Sequence, residues 1–178
     1  MICQTKHNLF LILFLTLTLN SFSQNNDSIK PRDLLKSFEL VGKTAPQFKS
    51  NTISGKEFDL SQIKDTVIVL NFWFIQCKAC KPEIPYLNKL LEEFKKQKFK
   101  LISLAWNNEN DLINANDSLK INYEIIPDCK WISDKYFVYS YPRIFFIKNG
   151  KVKNVLFFTD KPQESFGDWQ RKIRKLLL

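Results

Sequence analysis

A buried-strand pattern followed closely by two cysteines constrains this chain more than any other feature. Residues 67–73 read V-I-V-L-N-F-W, a continuous apolar run rich in β-branched and aromatic residues. Such a run is typical of a strand covered on both faces of a mostly parallel sheet. Cys77 and Cys80 follow, and an apolar spacing of helical period begins at Ile84. The sequence therefore predicts an α/β fold with a Cys-x-x-Cys pair between the end of a central strand and the start of a helix.

This position predicts redox chemistry for the two cysteines. The first amide groups of a helix have no partners within it, and the helix dipole favours negative charge there. Lys78 and Lys81 add positive charge, which also lowers the pKa of a neighbouring thiol. We therefore expect Cys77 to be the attacking thiolate and Cys80 to resolve the mixed disulfide formed on Cys77.

The residues around the cysteine pair resemble a known family. The order strand, Asn-Phe-Trp, Cys-x-x-Cys, Lys-Pro-Glu is similar to the TlpA/ResA-like thiol–disulfide oxidoreductases, exported members of the thioredoxin superfamily. The likeness continues in V-G-K-T-A-P-Q-F at 41–48, G-K-E-F-D-L at 55–60 and Y-P-R-I-F-F-I-K-N-G-K-V at 141–152. It implies a thioredoxin-like fold, in which helices flank a central mixed sheet, and an activity on protein disulfides.

The resemblance also assigns further residues to the site. It gives Glu83 the role of proton acceptor or pKa tuner for the thiols, the alternative being an acid that merely favours the first turn of a helix. Tyr141-Pro142 matches the family's cis-proline loop, which faces the cysteines and aligns the substrate. Trp73 is expected as a wall beside the thiols, with a supporting role in substrate binding. Arg143 stands where the family often has threonine, so substrate identity stays open.

The N-terminus predicts export. Within residues 1–23, Lys6 precedes an apolar run at 9–19, and Ser21 and Ser23 have the spacing that signal cleavage requires. The run is shorter than the about 20 residues of a membrane-spanning helix. We expect cleavage after Ser23 and a periplasmic location, with an uncleaved membrane anchor as the alternative.

The rest of the chain is expected to form one domain. Residues 24–40 are predicted to be a tether and a short helix, and residues 41–178 the thioredoxin-like domain. A turn at 54–55 predicts an N-terminal β-hairpin extension. Asn149-Gly150 predicts a second hairpin before a closing helix.

Composition excludes several other functions. The chain has 27 basic and 18 acidic residues, but its lysines are scattered, so no nucleic-acid partner is expected. His7, the single histidine, lies in the predicted signal, and the cysteines that remain cannot supply four zinc ligands. We therefore expect no metal and no bound cofactor beyond the redox pair. Cys129 is expected to be a small buried side chain, the alternatives being a third redox cysteine or an intermolecular link.

These observations predict an exported thiol–disulfide oxidoreductase that reduces disulfides of partner proteins. The resemblance implies a membrane-linked thiol as its electron donor, and we expect a monomer. A thiol peroxidase on the same fold is one alternative. The resemblance to peroxidatic sites would require a threonine three residues before the cysteine, where this chain has Phe74. A non-catalytic binding module with a thioredoxin fold is the other, because a fold does not determine function.

Overall fold

The apolar run at residues 67–73 forms the central strand of the molecule. The computed structural model describes residues 31–157 and 161–178, and the predicted signal peptide lies outside the described residues. The strands are β1 (Lys49–Asn51), β2 (Glu57–Asp59), β3 (Val67–Trp73), β4 (Phe99–Ala105), β5 (Glu124–Ile126), β6 (Arg143–Lys148) and β7 (Lys151–Phe157). The α-helices are α1 (Ile84–Phe94), α2 (Glu109–Leu119), α3 (Lys130–Lys135) and α4 (Pro162–Leu177), and 3-10 helices cover Pro31–Leu40, Leu60–Gln62 and Lys81–Glu83.

Five of the strands form one mixed sheet in the order β5-β4-β3-β6-β7. β3 pairs in parallel with β4, from Val67 opposite Phe99 to Trp73 opposite Ala105, and antiparallel with β6. β4 and β5 are parallel, whereas β6 and β7 form an antiparallel hairpin. The loop after β3 and the loop after β4 therefore lie at the same edge of the sheet, because parallel strands run in the same direction.

Helices cover both faces of this sheet, which is why every residue of β3 is buried. On one face, alternate residues of β3 and β4 pack under α1, α2 and α4. On the other face, the intervening residues pack against the 3-10 helix Pro31–Leu40, the β1–β2 hairpin and α3. The predicted thioredoxin-like arrangement, a mixed sheet with flanking helices, is thus present.

The N-terminal extension contains the predicted hairpin. β1 and β2 pair antiparallel, with Lys49 opposite Asp59. The segment expected to form a short helix is the 3-10 helix Pro31–Leu40, and its Phe38 ring lies 4.8 Å from the ring of Phe157 on β7. None of the described helices is both long and apolar enough to cross a bilayer.

The second predicted hairpin joins β6 to β7. Its turn residues Asn149 and Gly150 have φ values of 51° and 69°. Positive φ at both central positions is what the type I′ turn of a two-residue hairpin requires.

Candidate active site

The two cysteines of the Cys-x-x-Cys pair are joined in a disulfide just beyond the end of β3. Their sulfurs are 2.04 Å apart and their Cα atoms 5.3 Å apart. The Cys80 amide donates to the Cys77 carbonyl at 3.2 Å and to Cys77 Sγ at 3.1 Å. Cys77 keeps 5% of its surface exposed and Cys80 keeps 2%. Cys77 is therefore the slightly more exposed of two buried cysteines, which is compatible with its predicted role as the attacking residue.

The surroundings of Cys77 differ from the expected helix N-terminus. The 3-10 helix begins at Lys81 and α1 only at Ile84, so Cys77 lies in a turn before both. Pro85 lies in the first turn of α1, where a proline does not interrupt the helix. The backbone support of the Cys77 sulfur comes from the Cys80 amide and not from several free amides of a helix, which corrects the prediction.

Glu83 is fully buried and lies one 3-10 turn after Cys80. Cys80 and Glu83 are three residues apart along a 3-10 turn, in which residues i and i+3 lie above one another. The Glu83 amide donates to the Cys80 carbonyl at 3.1 Å, and neither carboxyl oxygen has a hydrogen-bond partner among the described residues. Burial raises the pKa of Glu83 from its ordinary value of 4.5 to about 8. Such a group can accept or release a proton near neutral pH.

Three aromatic side chains meet at the same edge of the sheet, and we call them the aromatic cluster: Phe74, Trp106 and Tyr141. Phe74 follows β3, Trp106 follows β4, and Tyr141 comes two residues before β6. The Tyr141 ring makes edge contacts with Phe74 at 5.6 Å and with Trp106 at 5.5 Å. Trp106 is 46% exposed. The aromatic cluster therefore offers an apolar, partly open surface at the edge of the sheet where the disulfide lies.

The Tyr141-Pro142 bond is cis, as the resemblance implied. Sequence reasoning singled out Tyr141 but missed Phe74 and Trp106 as its contacts. An aromatic residue directly after each of two neighbouring parallel strands was the available signal, because the ends of such strands meet at one edge.

Trp73 and Arg143 do not face the expected surface. Trp73 is buried in the same core cluster as the disulfide, so it does not reach a substrate in this state. Arg143 is buried on the opposite face, where its guanidinium lies 3.5 Å from the ring centre of Phe157. It donates to Ser140 Oγ at 2.6 Å and to the Leu34 carbonyl at 3.4 Å. Arg143 therefore bears on the packing of the N-terminal segment and not on substrate contact.

Cys129 is buried on the face of the sheet that carries Arg143, in a different core cluster from the disulfide. Its thiol donates to the Ile126 carbonyl at 3.1 Å, and burial raises its pKa above the ordinary value. This agrees with the expectation of a small buried side chain.

Fold and site together define a thioredoxin-fold protein with a redox-active cysteine pair. The chain belongs to the AhpC/TSA family, whose model matches residues 41–155. Membership of this family is consistent with the sheet, the covering helices and the disulfide described above.

Individual relatives indicate the class of protein within this family. The chain is similar to the thiol-disulfide oxidoreductase ResA of Geobacillus thermodenitrificans, with 33% identity over 121 residues, covering 65% of this chain and 68% of that protein. It is 29% identical over 119 residues to the thioredoxin-like protein YneN of Bacillus subtilis, covering 64% and 69%. These relatives confirm the predicted resemblance and the predicted class, a thiol–disulfide oxidoreductase.

A solved structure confirms the fold independently. A thiol:disulfide interchange protein of the thioredoxin family from Chlorobium tepidum superposes with a TM-score of 0.64 at 22% identity, covering 76% of this chain and 96% of that one. At this identity the likeness speaks for the thioredoxin fold alone.

Proposed function

We propose that this thiol–disulfide oxidoreductase reduces disulfides of partner proteins outside the cytoplasm. The proposal rests on one observation, the Cys77–Cys80 disulfide at the sheet edge with the buried Glu83 one 3-10 turn after Cys80. A disulfide in this position can be opened by a donor thiol and formed again by a substrate.

The geometry supports a two-step exchange. The Cys77 thiolate attacks a substrate disulfide, so one substrate sulfur leaves as a thiolate and the other is joined to Cys77. Glu83 then takes the proton of the Cys80 thiol, and the Cys80 sulfur attacks Cys77. The second substrate sulfur leaves, the substrate has gained two electrons, and Cys77 and Cys80 are joined as in the structure.

The protonation state of Glu83 in the oxidised protein agrees with this two-step exchange. After the exchange Glu83 carries the proton that came from Cys80. The structure contains the disulfide, and in this state burial keeps the pKa of Glu83 at about 8, so the carboxyl is mostly protonated at neutral pH. When a donor reopens the disulfide, the same proton can return to the departing Cys80 sulfur.

Substrate alignment is assigned to Tyr141, Pro142 and the two other members of the aromatic cluster. Trp106 and Phe74 flank Tyr141 at the sheet edge beyond which Cys77 lies, so a substrate segment that reaches the sulfur would pass over apolar rings. An apolar surface of this kind suits the side chains around a cysteine in a partly unfolded protein. Trp73 supports the sulfurs from below.

The N-terminal sequence pattern and the family resemblance support a proposal for the location and the electron donor. We assign residues 1–23 to a signal peptide, residues 24–40 to a tether and residues 41–178 to a periplasmic domain that acts as a monomer. A membrane-linked thiol protein is the proposed electron donor, since a reductant in an oxidising compartment must be resupplied.

The decisive experiment is insulin reduction by the exported domain with a dithiol donor, run beside peroxide consumption under the same conditions. We expect insulin reduction that is abolished in Cys77→Ser and retained in Cys129→Ser. Peroxide consumption without insulin reduction would instead establish a thiol peroxidase. If the protein had neither activity, the non-catalytic binding module would be the remaining alternative.

The proposed direction of electron flow, from this protein to its substrates, is tested by the reduction potential of the Cys77–Cys80 pair. We expect a value more negative than the glutathione poise of roughly −220 to −260 mV. A value near about −120 mV, typical of strong periplasmic oxidants, would reverse the proposed direction while leaving the exchange chemistry intact.

A further inference from the structure

Tyr123 places a second buried polar group on the face of the sheet that carries Glu83. The tyrosine lies directly before β5, and its hydroxyl oxygen is buried. Like the two carboxyl oxygens of Glu83, it has no hydrogen-bond partner within residues 31–157 and 161–178. Trp73 Nε1, in the same core cluster, is also without a partner among the described residues. Buried polar groups are normally hydrogen-bonded, so these groups in one layer call for an explanation.

Asn88 of α1 holds the segment before Tyr123 against the helix that begins next to Glu83. The Asn88 side chain donates to the Lys120 carbonyl at 2.8 Å and accepts from the Asn122 amide at 3.0 Å. Because Tyr123 is the next residue, its ring enters the layer between α1 and the sheet. There it shares one core cluster with the disulfide and with Ile84, the neighbour of Glu83.

The charged residues nearest to Glu83 in the sequence do not share its burial. The neighbouring lysines of the active-site loop, Lys78 and Lys81, are exposed, and Tyr86 packs its ring outward against Phe166 of α4. α4 adds the apolar core residues Trp169 and Ile173. Burial is the cause of the raised pKa of Glu83, whereas the pKa of Tyr123 is raised by burial and then by the charge of Glu83. Tyr123 is thus a neutral hydrogen-bond donor in the core cluster that includes Cys80 and Ile84, the residues on either side of the Glu83 turn.

We propose that Tyr123 is a positioning residue for Glu83: its phenol donates a hydrogen bond, directly or through an ordered water, to the ionised carboxylate that receives the Cys80 proton. The inference rests on the proposed function. During the resolving step the proton moves from Cys80 Sγ to a Glu83 oxygen, the Cys80–Cys77 bond forms, and the bond from Cys77 to the substrate sulfur breaks. Tyr123 keeps its own proton throughout and stabilises the state in which Glu83 is ready to act.

The proposal predicts a change in pH dependence rather than a simple loss of rate. Without the phenol, the carboxylate is less stable in its buried site, so it becomes available only at higher pH. Tyr123→Phe should therefore move the midpoint of the resolving step to higher pH. At pH 7 the rate should fall roughly tenfold, the size expected for a lost hydrogen bond to a charged group, and it should recover at pH 9.

The test uses 5,5′-dithiobis(2-nitrobenzoate) on the reduced protein. The first thionitrobenzoate is released when Cys77 attacks the reagent, and the second is released when Cys80 displaces it from Cys77. Stopped-flow absorbance of the second release, from pH 5 to 9, reports the resolving step without a protein substrate. A failure to reduce insulin would therefore count against the proposed function but not against this inference.

Two controls separate positioning from structure. Tyr136→Phe removes a buried tyrosine hydroxyl on the opposite face of the sheet and should leave the pH midpoint unchanged. In a Glu83→Gln background, Tyr123→Phe should have no further effect on the pH midpoint, because the two residues act as one unit. An unchanged midpoint in Tyr123→Phe, or a shift that persists in the Glu83→Gln background, would overturn the proposal.

A measurement on the unmodified protein keeps the proposal testable if Tyr123→Phe fails to fold. With ¹³C labels on the tyrosine Cζ and glutamate Cδ atoms, the Tyr123 resonance should titrate with the same midpoint as the Glu83 carboxyl. A Tyr123 resonance that ignores the ionisation of Glu83 would overturn the assignment.

Discussion

The two faces of the central sheet treat similar side chains differently. Under α1 and α4, Tyr123 and Glu83 keep buried oxygens without hydrogen-bond partners among the described residues. On the opposite face, Tyr136 donates to the Pro46 carbonyl at 2.9 Å and Cys129 donates to the Ile126 carbonyl. A buried polar group without a partner costs about 1–3 kcal/mol. The reactive face thus leaves Glu83 and Tyr123 without partners where proton transfer needs an unengaged carboxyl, whereas Tyr136 and Cys129 are hydrogen-bonded. The contrast holds for these side chains, since Ser133 Oγ and two nitrogens of Arg143 on the opposite face also have no partner among the described residues.

The buried ionisable residues show the same contrast. Glu83 has an apolar environment with no compensating charge, and burial raises its pKa to about 8. Arg143 is also fully buried, and burial lowers its pKa to about 10, but its guanidinium stacks on Phe157 and donates to Ser140. Glu83 therefore changes its charge near neutral pH, while Arg143 remains a cation that holds neighbouring elements together.

The largest predicted effect is on turnover, and it compares a cysteine of the active site with the buried cysteine on the opposite face. Cys80→Ser should abolish turnover and trap a mixed disulfide on Cys77, because no sulfur remains to resolve it. Cys129→Ser should keep full turnover, since a serine hydroxyl can donate to the same Ile126 carbonyl. Insulin reduction and mass spectrometry of the trapped complex measure both outcomes, and loss of turnover in Cys129→Ser would show a third redox cysteine.

The second prediction concerns the stability of the oxidised protein against pH. Below pH 4.5 Glu83 is protonated in both the folded and the unfolded chain, and its proton uptake does not affect folding. Between pH 4.5 and about 8 the unfolded chain loses this proton and the folded chain keeps it, so the contribution of Glu83 to stability falls as pH rises. The loss should be on the order of 4 kcal/mol, since a tenfold change in proton affinity corresponds to about 1.4 kcal/mol.

Urea unfolding at pH 5 and pH 8 measures this loss, and Glu83→Gln should remove most of it. Glu124→Gln is the matched control. Burial pushes the pKa of Glu124 upward, but hydrogen bonds from Lys56 and Ser54 bring it below its ordinary value. Its contribution is lost on acidification, so Glu124→Gln should leave the fall between pH 5 and 8 in place. An equal fall in Glu83→Gln would mean that another group takes up the proton.

The central strand, the cysteine pair and the place of Glu83 one turn after Cys80 could be predicted from local sequence, whereas the role of Glu83 was implied by the family resemblance and stays a prediction. The continuous apolar run at 67–73 is typical of a strand buried on both faces. The three-residue spacing from Cys80 to Glu83 is about one turn in both an α-helix and a 3-10 helix. The position of Cys77 could not be predicted, because it depends on a 3-10 turn that ends where α1 begins at Ile84. Periodicity alone does not distinguish that turn from the start of an α-helix.

Contacts between distant parts of the chain were beyond local reasoning for a different reason. The aromatic cluster forms because β3, β4 and β6 are neighbours in the sheet, and strand order is set by tertiary packing. Arg143 looks like a substrate-facing residue in sequence because it follows Pro142. Its burial depends on Phe38 and Leu34, more than 100 residues earlier in the chain.

The third prediction tests whether Arg143 acts as a packed structural cation. Arg143→Lys should lower the free energy of unfolding by about 2 kcal/mol, because an ammonium cannot stack on Phe157 and donate in the same planar geometry. Chemical denaturation measures the loss, and insulin reduction should remain unchanged. Reduced turnover at unchanged stability would instead place Arg143 in the substrate site.

The smallest predicted effect sharpens the comparison of the two buried tyrosines. Tyr136→Phe should cost about 1 kcal/mol, because the Pro46 carbonyl loses its donor while the ring contacts with Phe72 and Phe145 remain. Tyr123→Phe should be neutral or slightly stabilising in the oxidised protein at pH 6, where Glu83 is protonated and the lost hydroxyl had no partner among the described residues. Parallel urea titrations compare the two variants. If Tyr123→Phe were the more destabilising change, the Tyr123 hydroxyl would already have a hydrogen-bond partner in the oxidised state. The two tyrosines would then differ in which partner each one has, and not in whether it has one.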